Sequence, residues 1–101
     1  MKAKLIYHSK ITLIHTAGDS IAIAELKVWN VGVSPHYPDG IKYGMFLVHP
    51  HSGSVIFGMD NHKPKGPHLH LGDREEHYDF VSIDDLIEDF WRLATKKGYR
   101  P

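Results

Sequence analysis

The amino-acid sequence predicts an α+β domain: an antiparallel β-sheet of four to five strands, followed by one C-terminal amphipathic α-helix packed on the sheet. Residues 1–60 hold apolar, β-branched segments separated by turns, which is typical of antiparallel strands. Residues 81–98 place their apolar side chains at helical spacing. A length of 101 residues with 42% hydrophobic residues suits one modest core, so we expect a single domain over 1–101.

The first two strands form a predicted antiparallel pair. Residues 4–14 (KLIYHSKITLI) are rich in β-branched side chains, and residues 17–19 (AGD) have the composition of a turn. Residues 20–31 then alternate between two faces, and one of these faces holds Ala22, Ala24, Leu26 and Val28. This alternation predicts a strand that is half-buried in the sheet.

A loop and two further strands are predicted before residue 61. Residues 32–42 contain prolines, glycines and an aspartate, and this length exceeds the usual hairpin connection of about 2–5 residues. Residues 43–50 are apolar on both faces, as expected of an interior strand. Residues 51–53 (HSG) then turn the chain, and we expect residues 54–60 to pair back.

The C-terminal helix has clear start and stop signals. Ser82 suits the N-cap, and Asp85 follows three positions later in a capping-box-like arrangement. Lysines at 96 and 97 lie in the last turn, and Gly98 is suited to end the helix. The apolar stripe consists of Ile83, Leu86, Ile87, Phe90 and Ala94. This stripe predicts that the helix packs across the sheet.

Composition excludes several classes of protein. The 12 basic and 12 acidic residues cancel, so the chain has no strong overall field to gather nucleic acid. No apolar run reaches the roughly 20 residues of a membrane-spanning helix, and the first ten residues lack the apolar segment of a secretory signal. The absence of cysteine fits a reducing compartment. We therefore expect a cytoplasmic protein without membrane association, and exposed sheet edges make a homodimer plausible.

Residues 60–78 (DNHKPKGPHLHLGDREEHY) concentrate the candidate functional side chains. In HLHL, residues 68–71, a strand would point both leucines to one side and both imidazoles to the other. Gly66 and Pro67 favour a sharp entry into this strand, and Asp60 and Asn61 can shape the preceding loop. Three cations surround the imidazoles in sequence: Lys63, Lys65 and Arg74.

Two chemistries suit a paired arrangement of His68 and His70. The first is a metal site, in which a carboxylate or His77 completes the ligands. The second is metal-free cleavage of a phosphodiester, with one histidine as base, the other as acid, and Lys65 or Arg74 stabilising the phosphate. A solvated hairpin without chemistry is equally compatible with the spacing, so the pattern alone leaves these alternatives open.

The chain also resembles the TumE-like family, which comprises toxin components of type II toxin–antitoxin modules. The resemblance rests on the pattern D-N-x₃-K-G-x-H-x-H, which begins at residue 60, and on the segment REEHYDFVSIDDLIEDFW. It implies a growth-inhibiting toxin, a cognate antitoxin that commonly carries a helix-turn-helix, and RNA or the translation machinery as target. The family's candidate site positions correspond to Asp60, Asn61, Lys65, Gly66, His68 and His70. Pro64 and Pro67 depart from the residues that relatives often carry.

Residues and resemblance together predict a metal-independent, RNA-cleaving toxin without cofactors. In this hypothesis His68, His70 and Lys65 are catalytic. Binding of the RNA substrate is assigned to Lys63, Arg74, Asp60, Asn61 and Gly66. Two alternatives remain: an enzyme that binds a metal through the two histidines, and a non-enzymatic module that binds an antitoxin or ribosomal RNA.

Overall fold

The computed structural model of the protein describes residues 3–101. This part of the chain contains seven strands and one helix. The strands are β1 (Lys4–His15), β2 (Ile21–Asn30), β3 (Ile41–Val48), β4 (Val55–Asp60), β5 (His68–Leu71), β6 (Arg74–His77) and β7 (Tyr99–Arg100), and the helix is α1 (Ile83–Lys96). The α+β class and the C-terminal position of the helix are confirmed.

The strands form one antiparallel sheet in the order β6-β5-β4-β3-β2-β1-β7. The first six strands are a meander, in which each strand pairs with the next along the chain. Helix α1 then returns the chain to the opposite edge, where β7 pairs with the end of β1. We call the side of the sheet that α1 covers the helix face, and the other side the open face.

The hydrophobic core lies between the helix face and α1. The alternation predicted for β2 is confirmed, because the four apolar residues on its predicted face are fully buried. From the helix, Leu86, Phe90 and Ala94 are buried against the sheet, and the ring of Phe90 lies 4.9 Å from that of Phe57, centroid to centroid. The strand residues of this core are Leu13, Ala22, Ala24, Leu26, Val28, Tyr43, Met45, Leu47, Phe57, Met59 and Tyr99.

The helix begins and ends where its sequence signals indicate. The Ser82 hydroxyl accepts a hydrogen bond from the backbone N–H of Asp85 at 3.1 Å, which satisfies one of the free donors of the first turn. Lys97 is the C-cap, and Gly98 follows with a φ of 94°. A side chain at position 98 would be strained in this conformation and would also meet the ring of His15. Glycine therefore allows the turn that starts β7.

The predicted number of strands, four to five, was wrong, because the sheet has seven. Strand β6 (REEH) is charged and exposed at every position, so it lacks the apolar alternation that marks a half-buried strand. It forms because Gly72 and Asp73 close a tight hairpin that pairs Arg74 with Leu71. Strand β7 has 2 residues, and its pairing depends on where α1 ends rather than on local sequence.

Candidate functional site

The register of three neighbouring strands brings both candidate histidines to the open face. Met59 pairs with Leu69 on the helix face, where the leucine packs against the core. The alternate positions therefore point the other way, and His68 lies opposite Asp60. His70 lies opposite Gly58, a position without a side chain. The two imidazole rings meet edge to face, with centroids 4.5 Å apart.

One carboxylate contacts both rings. The Nε2 atom of His68 lies 3.1 Å from Oδ1 of Asp60, and the Nε2 atom of His70 lies 3.2 Å from Oδ2. Each of the three residues presents one metal-ligating atom, and these atoms lie within 4.8 Å of one another. We call Asp60, His68 and His70 the histidine cluster. Its members are buried or half-buried, so its contacts are only partly screened by water.

The outer nitrogens of the two imidazoles face hydrogen-bond acceptors. Nδ1 of His68 donates to the carbonyl oxygen of Gly66 at 2.7 Å. Nδ1 of His70 lies 3.3 Å from Oε1 of Glu75, which projects from the paired position on β6. Lys65 donates to both oxygens of Glu75, at 2.8 and 3.1 Å, and this contact lowers the pKa of the Glu75 carboxyl. These contacts therefore hold the two rings in place on the side that faces away from Asp60.

A cleft with a volume of about 380 Å³ opens beside the histidine cluster. The loop 61–67 forms its wall, and Gly66 adopts a φ of 75° there, which only glycine takes without strain. The hydroxyl of Tyr37, in the loop between β2 and β3, accepts a hydrogen bond from the backbone N–H of Lys63 at 3.3 Å. Lys63 and Lys65 line the cleft, so positive side chains flank the cluster.

Two of the predicted substrate-binding residues lie apart from the cleft. Asn61 is only 8% exposed, and its side chain binds the end of β3. Its Oδ1 accepts from the backbone N–H of Tyr43 at 2.9 Å, and its Nδ2 donates to the carbonyl of Ile41 at 2.8 Å. Arg74 pairs with Leu71 and therefore lies on the helix face, where it contacts Glu76 at 3.6 Å. The structure brings neither side chain to the histidine cluster.

The remaining nearby histidines are peripheral. His77 lies opposite His68 on β6, but its ring contacts Asp79 at 3.0 Å and is 72% exposed. His62 is exposed, and its backbone N–H donates to Oδ1 of Asp60 at 3.2 Å. The sequence left two candidates for the third metal ligand, a carboxylate or His77. The structure places a carboxylate, that of Asp60, next to the two histidines.

A groove on the open face continues from the cluster across the sheet. The Phe46 ring lies over Gly58, with its centroid 6.3 Å from that of His70. Beyond it is a depression of about 450 Å³, whose lining includes Trp29, Phe46 and Lys27. Gly44 separates Lys27 from Asp60 along one row of paired residues, so no side chain interrupts the floor there.

The sequence of this chain matches a known protein family. A family model described as Toxin TumE matches residues 2–97, which is nearly the whole chain. The chain belongs to the TumE toxin family. The match includes every member of the histidine cluster and both lysines of the cleft. Searches of curated proteins and of solved structures gave no match.

Membership of the TumE family confirms the resemblance drawn from the sequence and makes the chain a toxin component. A toxin of this kind implies an antitoxin as its partner. Within residues 3–101, no helix has the length and apolar content needed to cross a membrane.

Three contributors to the candidate site were missed from the sequence. Glu75 follows the Gly72-Asp73 turn, and a two-residue turn of this composition is a hairpin signal that predicts β6 and its pairing with β5. The sequence signal for Gly58 and Phe46 was weaker. A glycine inside a strand indicates only that another group approaches the backbone closely at that position. Which group approaches depends on strand register, which the sequence alone leaves open.

Proposed function

We propose that this TumE family member inhibits growth by cleaving RNA at the histidine cluster. The observation that carries the proposal is the convergence of two imidazoles on the Asp60 carboxylate, beside a cleft lined by Lys63 and Lys65. Paired nitrogen bases next to cations suit a reaction in which protons move around an anionic group. RNA provides such a group in every phosphodiester.

The proposed reaction is transesterification within the RNA strand. The ribose 2′-oxygen attacks phosphorus and gives its proton to a base in the site. The bond between phosphorus and the 5′-oxygen breaks, and the departing oxygen takes a proton from an acid in the site. The products are a 2′,3′-cyclic phosphate and a 5′-hydroxyl, so atoms and charge balance without an oxidant or a second substrate. Cations near the phosphate stabilise the charge that accumulates in the transition state.

The open face supports a single-stranded substrate. Bases of single-stranded RNA stack on aromatic side chains, with about 1–3 kcal/mol per base in measured cases. Trp29 and Phe46 line the groove that begins next to His70, and Lys27 lies in the neighbouring row, where Gly44 alone separates it from Asp60. Glu25 is the acidic residue of this groove, and it is paired with His8 at 2.9 Å. The groove therefore offers stacking surfaces with a cation along the path.

The cluster permits this reaction by two chemistries. In the first, His68 and His70 transfer the protons themselves, as the paired-histidine hypothesis holds, and Asp60 orients them. In the second, the three side chains would hold a metal ion that polarises the phosphate and supplies a bound hydroxide as the base for the 2′-hydroxyl proton. A chelator separates the two, because metal-free cleavage persists in EDTA and metal-dependent cleavage stops.

Expression in cells tests whether the cluster causes growth arrest. We expect the wild-type chain and His51→Ala, a control in an exposed turn, to arrest growth with loss of intact RNA. His70→Ala should permit growth at equal protein level, because the cluster loses one nitrogen donor. Arrest that persists in His70→Ala, with intact RNA, would contradict the proposal and favour a non-enzymatic toxin. Co-expression of the adjacent antitoxin, for which we propose a helix-turn-helix protein, should restore growth.

A further inference from the structure

The geometry points to a divalent transition-metal ion bound by Asp60, His68 and His70. This inference deepens the proposed function, because it chooses between the two chemistries of the same site. It rests on where the lone pairs of the imidazoles and the carboxylate point.

The hydrogen bond of His68 to Gly66 fixes which nitrogen carries its proton. A carbonyl oxygen only accepts, so Nδ1 must donate at the observed 2.7 Å. In the neutral imidazole the lone pair is then on Nε2, which lies 3.1 Å from Oδ1 of Asp60. Two lone pairs facing each other at this distance repel. A cation between Nε2 and the carboxylate removes that repulsion.

His70 directs its Nε2 at the same carboxylate, and the tautomer protonated on Nε2 donates a hydrogen bond to Asp60. Its Nδ1 faces the Glu75 carboxylate at 3.3 Å, while its Nε2 faces Oδ2 of Asp60 at 3.2 Å. In the other tautomer the proton on Nδ1 is directed at Glu75, and the Nε2 lone pair is then available to a metal ion on the side of Asp60. One divalent ion satisfies both Nε2 atoms and the carboxylate together.

The spacing of the three donors fits metal ligation. Ions bound through imidazole nitrogen and carboxylate oxygen have bonds of about 2.0–2.2 Å, so neighbouring ligand atoms lie roughly 3–3.5 Å apart. The two nitrogen–oxygen distances of the cluster are 3.1 and 3.2 Å. A histidine ligand also characteristically donates its other N–H to a carbonyl or carboxylate. His68 does so to Gly66, and the outer nitrogen of His70 faces Glu75.

The donor set indicates the class of metal. Two imidazoles and one carboxylate suit first-row transition ions such as Mn²⁺, Fe²⁺ and Zn²⁺, whereas Mg²⁺ and Ca²⁺ prefer oxygen ligands alone. Three protein ligands leave further coordination positions toward the cleft, where a water molecule and a phosphate oxygen can bind. An ion at this position would act as a Lewis acid on an anionic substrate.

Calorimetric titration of metal-free protein with MnCl₂ and ZnCl₂ tests the site directly. We expect one tight ion per chain in the wild type and in His51→Ala. Affinity should fall at least tenfold in His70→Ala, and about 10- to 100-fold in Glu75→Gln, which removes the carboxylate behind His70. Titration with Co²⁺ should give visible absorption bands that His70→Ala loses. Circular dichroism establishes whether each variant is folded. Because Glu75 is exposed, we expect Glu75→Gln to keep the wild-type fold.

Two results would overturn the metal site: no stoichiometric binding by the wild type, or wild-type affinity in both His70→Ala and Glu75→Gln. The RNA proposal fails separately. An ion bound as expected, in a protein that never cleaves RNA, contradicts the proposed reaction and supports the metal site. Cleavage that persists in EDTA, without stoichiometric ion binding, contradicts the metal site and supports proton transfer by the histidines.

Discussion

The Phe46 ring lies over the α-carbon of Gly58, so closely that a Cβ at position 58 would overlap the ring. The two residues are paired across β3 and β4, in the row that also holds His70. The absence of a side chain at 58 lets the aromatic ring lie next to the imidazole, with centroids 6.3 Å apart. This pair therefore connects the histidine cluster to the groove of the open face.

Replacing Gly58 tests that contact. In Gly58→Ala the new methyl group must displace the Phe46 ring, and overpacking of this kind costs about 1–3 kcal/mol in the free energy of unfolding. Urea denaturation measures the loss. In a Phe46→Ala background the same substitution should cost less than about 0.5 kcal/mol, because the obstructing ring is gone. Equal losses in the free energy of unfolding in both backgrounds would show that the position of the Phe46 ring does not depend on Gly58.

Asn61 should matter for stability rather than for substrate binding. Asn61→Ala leaves the N–H of Tyr43 and the carbonyl of Ile41 without partners, and each buried unsatisfied group costs about 1–3 kcal/mol. We expect a loss of about 2–4 kcal/mol by chemical denaturation. The neighbouring exposed variant His62→Ala should stay within about 0.5 kcal/mol of the wild type. An Asn61→Ala protein of wild-type stability that binds RNA weakly would reverse this assignment.

The pKa of Glu75 should depend on Lys65. The hydrogen bonds from the Lys65 ammonium favour the charged carboxylate and lower its pKa. A carboxyl whose pKa is lower in the folded state stabilises the fold above its ordinary pKa. That stabilisation disappears as the pH falls through the lowered pKa. In Lys65→Met, an NMR titration should therefore show the pKa of Glu75 rising toward its ordinary value.

Glu25 is the internal control for that titration. Its pKa is also lowered, but by the hydrogen bond to His8 on the far side of the groove. Lys65→Met should leave the pKa of Glu25 unchanged, whereas His8→Ala should raise the pKa of Glu25 alone. If both carboxyl groups shift together in Lys65→Met, the cause is a general change of structure rather than the loss of one contact.

Gly44 provides a test of the groove as an RNA path. A Cβ there would meet only the edge of the Phe46 ring at 3.6 Å, an ordinary contact, so Gly44→Val should fold while filling the floor between Lys27 and Asp60. In a His70→Ala background, in which we expect cleavage to be slow, fluorescence anisotropy measures binding of labelled single-stranded RNA. We expect Gly44→Val to bind this RNA roughly tenfold more weakly than the parent variant, because about one base stack is lost.

The control for this binding experiment is Gly18→Ala, in the turn between β1 and β2. A Cβ at position 18 meets nothing within 4 Å and lies away from the groove. Its RNA affinity should equal that of the parent variant. An unchanged affinity in Gly44→Val would place the RNA elsewhere on the molecule.

Local signals made much of the fold predictable. The helix was predicted with its N-cap because Ser82, the apolar stripe and the terminal lysines all lie within a few turns of one another. The opposite directions of His68 and Leu69 follow from strand geometry alone. The first five strands were recognised from short apolar or β-branched segments with flanking turn residues, and alternation marked two of them, β2 and β5.

Contacts between distant segments were less accessible from the sequence. Strand β6 is exposed at every position, and β7 has only 2 residues, too few to show an alternation of buried and exposed side chains. The meeting of Asp60 with both histidines, and the position of Arg74 on the opposite face, depend on register between strands. Register is set by the packing of the whole helix face, which no local pattern reports.

The most direct test of the central claim is the cleavage of end-labelled single-stranded RNA by purified protein. We expect wild type and His51→Ala to cleave at the same rate, giving 2′,3′-cyclic phosphate ends. His70→Ala should be slower by about 10²- to 10⁴-fold, the usual contribution of a group that promotes proton transfer. No cleavage by the wild type, or equal cleavage by His70→Ala, would contradict the assignment of RNA cleavage to Asp60, His68 and His70.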